Sequence, residues 1–96
     1  MAALIKAACL KTLAAGDSFV VTSAMGVRRI SIRNDRDSPV TGIVTIASDA
    51  KVGNVAAGSV VLKAGDAFDD EADAGYCIAG YTITAATGAT AYIYLW

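Results

Sequence analysis

An acidic cluster is the first place where this sequence could do chemistry. Five of its nine acidic residues lie within eight positions: Asp66, Asp69, Asp70, Glu71 and Asp73. Carboxylates at this density are what a hard cation such as Ca²⁺ binds, but the spacing lacks the glycine and the terminal glutamate of an EF-hand loop. A solvated loop and a contact with a complementary charged segment are the other interpretations. We predict no bound metal and no cofactor.

A basic segment supplies the complementary charge. Four arginines within nine positions account for half of the basic residues: Arg28, Arg29, Arg33 and Arg36. In a homo-oligomer, Asp69 and Asp70 of one subunit could face this segment of a neighbour, which would fix orientation more than affinity. Arg29 and Arg33 are the predicted contacts. Alternatively, the two segments meet within one subunit, or the arginines keep an edge strand soluble.

The C-terminal residues read as a strand with an aromatic row. Alternation places Ile93 and Leu95 on one face and Tyr92, Tyr94 and Trp96 on the other. Because such aromatic residues are enriched in interface anchors, we predict that the row contacts another subunit. Two alternatives are a central strand covered on both faces and a surface that stacks a sugar ring, although no acid or amide lies beside the row in sequence.

Composition argues against several classes of function. The chain has no histidine, so its serines lack the usual general base, and its glycines form no phosphate-binding pattern. We predict that it is not an enzyme. Its net charge of −1 favours neither nucleic acid nor an anionic membrane. Cys9 and Cys77 form no C-x-x-C motif, and we expect them to be reduced, as in a cytoplasm.

Ninety-six residues, 55% of them hydrophobic, predict one domain with apolar surface left for partners. We expect an N-terminal apolar arm over residues 1 to 15, helical or extended, lying against another subunit or a larger shell through Leu4, Ile5 and Leu10. Lysines interrupt its apolar run, so we do not expect a signal peptide. No stretch is long enough for a membrane span.

Residues 16 to 96 are expected to form an all-β domain, a β-sandwich or jelly roll. Strand patterns cover 19–22, 27–33, 40–47, 60–62, 81–85 and 91–96. The pair 27–33 and 40–47 suggests a hairpin, residues 48 to 59 suggest mostly loop, and the acids at 69–73 suggest a surface run.

A seven-residue phrase occurs twice and organises these strands. L-A-A-G-D-S-F at 13–19 and L-K-A-G-D-A-F at 62–68 share five of seven residues at an offset of 49. In each copy a leucine ends one apolar run, Gly-Asp turns the chain and a phenylalanine begins the next run. Each copy therefore predicts a sheet corner, and the offset predicts a domain of two similar halves.

Three segments carry a family resemblance. LKAGDAF, GYTITAATGATAYIYLW and GVRRISIRNDRDSPVTGIVTI resemble small β-sandwich structural proteins of tailed bacteriophages, over roughly residues 13 to 96. The resemblance implies a non-enzymatic virion component, a capsid decoration or cement protein that stabilises the head shell as a homotrimer. Its partners would be copies of itself and the major capsid protein or another virion protein. The resemblance implies no catalytic residues. It also implies that the protein is located in the virion after assembly in the host cytoplasm.

Two further classes stay open. A phage tail or fibre module that binds host glycan would use the same sandwich, and an exposed aromatic row beside an acidic segment would favour it. A bacterial assembly or secreted scaffold protein is the other alternative.

Overall fold

A computed structural model describes residues 9–13, 16–52 and 58–96 of the chain. These residues form eight strands and one short 3-10 turn, Ser23–Met25. The strands are β1 (Cys9–Leu13), β2 (Ser18–Val21), β3 (Arg29–Asn34), β4 (Val44–Val52), β5 (Gly58–Leu62), β6 (Ala67–Glu71), β7 (Ala79–Ala85) and β8 (Ala91–Leu95). The predicted all-β fold is confirmed.

The strands form two antiparallel four-stranded sheets. The first sheet has the order β1-β8-β3-β6, and the second has the order β2-β7-β4-β5. Alternating side chains from both sheets are buried between them, among them Ile30, Ile32 and Ile93 from the first sheet and Ile46 and Ile83 from the second. β3, β7 and β8 therefore each have one apolar face, which explains the alternation in their sequences.

Both Gly-Asp phrases form the predicted corners. Gly16 lies between β1 and β2, and Gly65 lies between β5 and β6, so each corner joins a strand of one sheet to a strand of the other. The two glycines have φ values of 83° and 84°, in the left-handed region that a side chain makes costly. At the second corner, the Lys63 amide donates to the Asp66 carboxylate at 2.9 Å.

The two halves of the fold are related as the offset predicts. Adding 49 to the bounds of β1 gives those of β5, and adding it to the start of β2 gives the start of β6. The strand orders show the same relation. Counting four strands on from each member of β1-β8-β3-β6, with β1 following β8, gives β5-β4-β7-β2, which is the second sheet read backwards. The offset is less regular for β3 and β4, whose starts shifted by 49 fall near, but not at, the starts of β7 and β8.

The predicted hairpin of 27–33 with 40–47 is wrong. β3 pairs with β6 and β8 in the first sheet, whereas β4 pairs with β5 and β7 in the second. Asn34 holds the crossing loop, because its Nδ2 donates to the carbonyl oxygens of Gly42 at 2.8 Å and Leu62 at 2.9 Å. The error arose because alternation shows that a strand has a buried face but does not identify its partner.

The prediction that residues 69 to 73 run over the surface is wrong in part: Asp69, Glu71 and Asp73 are exposed, but the segment is not a surface loop throughout. Residues up to Glu71 belong to β6, and Asp70 and Ala72 are buried. Asp70 faces the core, where its carboxylate accepts hydrogen bonds from the Tyr81 hydroxyl and from the Glu71 amide. A carboxylate is buried here because donors inside the sandwich satisfy it.

Two other boundaries change. The expected arm of residues 1 to 15 does not stand apart over its whole length, because its residues 9 to 13 form β1, which pairs with β8. The expected loop over 48 to 59 is partly strand, since β4 continues to Val52 and β5 begins at Gly58. Residues 1–8, 14–15 and 53–57, which include Leu4 and Ile5, lie outside the described residues.

Candidate binding surface

The outer face of the first sheet combines aromatic and charged side chains, and we call it the aromatic face. It is formed by Tyr92, Tyr94 and Trp96 from β8 and the residue after it, Arg29, Ser31 and Arg33 from β3, and Asp69 and Glu71 from β6.

The aromatic row arises from the alternation predicted for the C-terminal strand. Ile93 and Leu95 are buried in the core, while Tyr92, Tyr94 and Trp96 are half-buried on the opposite side. β8 is a central strand of its sheet, between β1 and β3. The alternative in which both of its faces are fully covered does not hold among the described residues.

Strand pairing brings polar groups beside the aromatic row. Ser31 pairs with Tyr94 on one side and with Asp69 on the other, so these three residues form one row across the sheet. Arg33 pairs with Tyr92, and Arg29 pairs with Glu71. The acid that the sequence does not place near the aromatic residues is therefore supplied by a strand more than twenty residues away.

The centre of the face is an open depression. Ser31, Arg33, Tyr94 and Trp96 line a volume of ≈ 400 Å³. The rings of Tyr94 and Trp96 are stacked, with centroids 6.4 Å apart and planes inclined by 23°. The guanidinium carbon of Arg29 lies 5.3 Å from the centre of the Trp96 ring, which is a cation–π contact. The Trp96 indole is therefore in contact with Tyr94 of β8 and with Arg29 of the neighbouring strand β3.

Tyr92 marks one end of the row. Its hydroxyl donates to Oδ2 of Asp35 at 3.1 Å, tying β8 to the loop after β3. This hydrogen bond, followed by the negative charge of Asp35, raises the pKa of Tyr92 above its ordinary value of 10.0. Tyr92 therefore remains a neutral donor at physiological pH.

The structure brings most of the predicted interface residues together. Six of them lie on the aromatic face: Arg29, Arg33, Asp69, Tyr92, Tyr94 and Trp96. Leu10 belongs to β1 and pairs with Tyr94. Asp70 is 4% exposed, so it is not available to a neighbour and its prediction as an interface residue is corrected. Ser31 was missed, although the alternation of β3 places it between the two arginines.

The basic and acidic segments lie side by side within one subunit. β3 and β6 are adjacent strands, and Arg29 is registered directly opposite Glu71. Opposite charges at such positions attract each other across a sheet. This arrangement matches, for Arg29, the alternative in which the two segments meet inside a subunit, whereas Arg33 is registered opposite Ala67.

The outer face of the second sheet has a different chemistry, and we call it the neutral face. Strand pairing arranges it in two rows, Val20-Thr82-Ala47-Ser59 and Ser18-Thr84-Thr45-Val61. None of these eight residues is charged. Val20 and Val61, on the two edge strands, are each 49% exposed. The 49-residue offset makes Asp69 on β6 the counterpart of Val20 on β2. Because Asp69 is charged, folding does not by itself require an uncharged residue at the position of Val20.

Three further observations concern metal ligands, thiols and membrane-spanning helices in the described part of the chain. There, no three potential metal ligands from His, Cys, Asp and Glu lie close enough to hold an ion. Cys77 is a free thiol. Among the same residues, no helix has the length and apolar character needed to cross a membrane.

Comparisons with protein families, curated proteins and solved structures found no match to this chain.

Proposed function

We propose that this chain is a non-enzymatic structural protein of a bacteriophage virion, a capsid decoration or cement protein that stabilises the head shell as a homotrimer. The neutral face carries this proposal. An interface core is depleted of charged residues, and eight neighbouring uncharged residues on one sheet meet that requirement. The occupant of the face is a second copy of this chain.

The composition of the face suits contact with itself. In a cyclic trimer one part of the neutral face would contact one neighbour and a different part the other neighbour, and both contacts would form without placing like charges together or stripping water from a charge. Small and β-branched side chains also keep the surface flat, which allows close packing between sheets. The aromatic face, with its mixed charges, would then point away from the axis, so this proposal replaces the predicted contact of Tyr92, Tyr94 and Trp96 with another subunit.

The size of the molecule is sufficient for such a contact. Its principal-axis extents are 38 × 33 × 18 Å. Because packed sheets lie about 10 Å apart, we assign the two broad sides to the outer faces of the sheets. Covering half of one broad side on each subunit removes about 600 Å² per subunit from water, and two subunits together exceed the roughly 1,000 Å² expected of a specific interface.

The winding of the strands supports the virion assignment. We infer that the eight strands form a jelly roll, which is one long hairpin of four strand pairs wrapped into two sheets. The observed pairs β1 with β8, β2 with β7, β3 with β6 and β4 with β5 support this inference. Jelly rolls are common in viral capsid proteins, so this support is an analogy at the level of the fold.

Light scattering after gel filtration tests the assembly. The wild type should elute with about three times the 9.8 kDa subunit mass. Val20→Lys and Val61→Lys should elute as folded monomers, because each would bury a charge in the interface. Thr87→Lys adds the same charge in an exposed loop and should leave the trimer intact. A monomeric wild type would contradict the assembly.

Mass spectrometry of purified virions tests the location. The chain should be present at a copy number comparable to that of the major capsid protein, and virions without it should lose their genome at a lower temperature. Absence from the virion would contradict the proposed function even if the trimer forms.

A further inference from the structure

We propose that the aromatic face binds a carbohydrate that bears one carboxylate, such as a uronic acid, in the depression between β3 and β8. This inference goes beyond the proposed assembly, which uses the other sheet. The depression of ≈ 400 Å³ falls within the range of small-molecule sites, about 300–1,000 Å³. It also combines the three kinds of group that an acidic sugar needs: an apolar platform, a cation and hydroxyl partners.

Tyr94 and Trp96 supply the platform. One side of a pyranose ring is covered by C–H bonds, which its oxygens polarise positively, and the face of an aromatic ring is negative. Tyr94 and Trp96 stack on each other with their centroids 6.4 Å apart, and the sugar would extend this stack at the ring of Tyr94. Arg29, 5.3 Å from the centre of the Trp96 ring, holds the indole before any ligand arrives, so less side-chain entropy is lost on binding.

Arg33 supplies the cation. Its side chain is exposed and lines the same depression as the two rings. A guanidinium donates two parallel hydrogen bonds to one carboxylate, a geometry that an ammonium does not match. Because Arg33 pairs with Tyr92 on β8, it lies at the side of the aromatic row, within reach of a substituent on a stacked ring.

Ser31 and Asp69 supply partners for hydroxyl groups. Ser31 lies at the floor of the depression, where it is only 6% exposed, and the exposed Asp69 continues the same row on β6. A serine hydroxyl both donates and accepts, and a carboxylate accepts from sugar hydroxyls. Specific polar groups beside an apolar platform are what distinguish a sugar site from a general hydrophobic patch.

The acids on β6 also argue against a nucleic acid strand as the ligand. Binding of single-stranded nucleic acid requires a positively charged groove along the phosphates. Here Asp69 and Glu71 lie on the strand next to the arginines, and the whole chain has a net charge of −1. The face therefore suits one negative charge beside an apolar ring better than a series of phosphates.

Fluorescence of Trp96, the only tryptophan of the chain, provides a direct test. The full-length protein is titrated with methyl β-D-glucuronide and with methyl β-D-glucoside, which differ only in the carboxylate. We expect saturable binding of both, with a dissociation constant at least about tenfold lower for the glucuronide, the effect of a hydrogen bond to a charged group. Arg33→Gln should abolish this difference, while Arg36→Gln, an exposed arginine outside the depression, should preserve it.

Several results would overturn the proposal. The first is the absence of a saturable response to the glucuronide up to its solubility. The second is equal affinity for the two glycosides, and the third is a preference for the glucuronide that survives Arg33→Gln. Tighter binding of oligothymidylate would identify a nucleic acid surface instead. Val20→Lys, which disrupts only the proposed trimer, should leave glucuronide binding unchanged, so failure of the assembly and failure of the sugar site give different results.

Discussion

Asn34 connects three parts of the chain through one buried amide. It lies at the end of β3 and is 3% exposed. Its Nδ2 donates to the carbonyls of Gly42 in the crossing loop and Leu62 at the end of β5, and its Oδ1 accepts from the Ser38 hydroxyl at 2.7 Å. Polar groups here determine how the loop between the sheets lies, which apolar packing alone does not specify.

We expect Asn34→Leu, which nearly preserves the volume, to lower the free energy of unfolding by about 2–4 kcal/mol. The substitution leaves the Gly42 and Leu62 carbonyls buried without their donor, and each such group costs about 1–3 kcal/mol. Urea unfolding followed by Trp96 fluorescence measures the change. Thr87→Ala, at an exposed loop position, should stay within about 0.5 kcal/mol of the wild type. A loss below about 1 kcal/mol for Asn34→Leu would show that the bonds do not matter.

Tyr92 leads to a prediction about pH. The pKa of Tyr92 in the folded state is raised above 10.0, so the Tyr92 hydroxyl keeps its proton more tightly in the folded than in the unfolded state. The stabilisation is therefore fully present below pH 10.0 and is lost as the pH rises through the folded pKa. In a spectrophotometric titration of the phenolates, Asp35→Asn should move one of the four tyrosines to lower pH. An unchanged titration curve would mean that Asp35 does not control Tyr92.

At the scale of elements, the two Gly-Asp corners transfer the chain between sheets at equivalent places in the two halves. Their glycines share a left-handed backbone, and a Cβ atom would meet little there: nothing within 4 Å at Gly16, and only Arg36 atoms at 4.0 Å at Gly65. Their requirement for glycine is therefore conformational. Gly42 is the opposite case, since a Cβ there would lie 3.0 Å from the Pro39 ring and 3.2 Å from the Ala89 nitrogen.

The relative stability of the alanine and asparagine variants should distinguish the conformational cause from the steric one. At Gly16 and Gly65, alanine should cost about 1–2 kcal/mol and asparagine less, because asparagine tolerates the left-handed region. At Gly42, asparagine should cost more than alanine, because the larger side chain increases the clash with Pro39. Thermal unfolding of the six variants tests this reversal. The same order at all three glycines would contradict the distinction.

At the scale of the whole molecule, Tyr81 joins the two sheets. It belongs to β7 and is fully buried, its hydroxyl donates to Asp70 on β6, and its ring meets Phe68 of the same strand edge to face at 6.1 Å. A link of this kind between opposite sheets couples their stability, so the domain should unfold as one unit.

We expect Tyr81→Phe to lower stability by about 1–3 kcal/mol, because Asp70 would keep its buried carboxylate and lose one donor. Circular dichroism and Trp96 fluorescence should still report the same unfolding midpoint. Tyr76→Phe, at a tyrosine that is 60% exposed, is the matched control and should have little effect. Separate midpoints for the two signals in the wild type would show that the sheets unfold independently.

Local chemistry in the sequence was enough to predict the all-β class, the two corners and the faces of several strands. Gly-Asp turns, β-branched residues and alternation at a period of two act over a few residues. They revealed the 49-residue offset and the separation of Ile93 and Leu95 from Tyr92, Tyr94 and Trp96.

Only the tertiary structure decided which strands are neighbours. Alternation requires that each strand bury one face, and several pairings satisfy that requirement equally well. The choice among them depends on burying all the faces together, which involves residues far apart in the chain. Hence β3 and β4 occupy different sheets, Asp70 meets a donor inside the core, and Ser31 and Asp69 come to lie in line with Tyr94. The candidate sugar site exists only through that pairing.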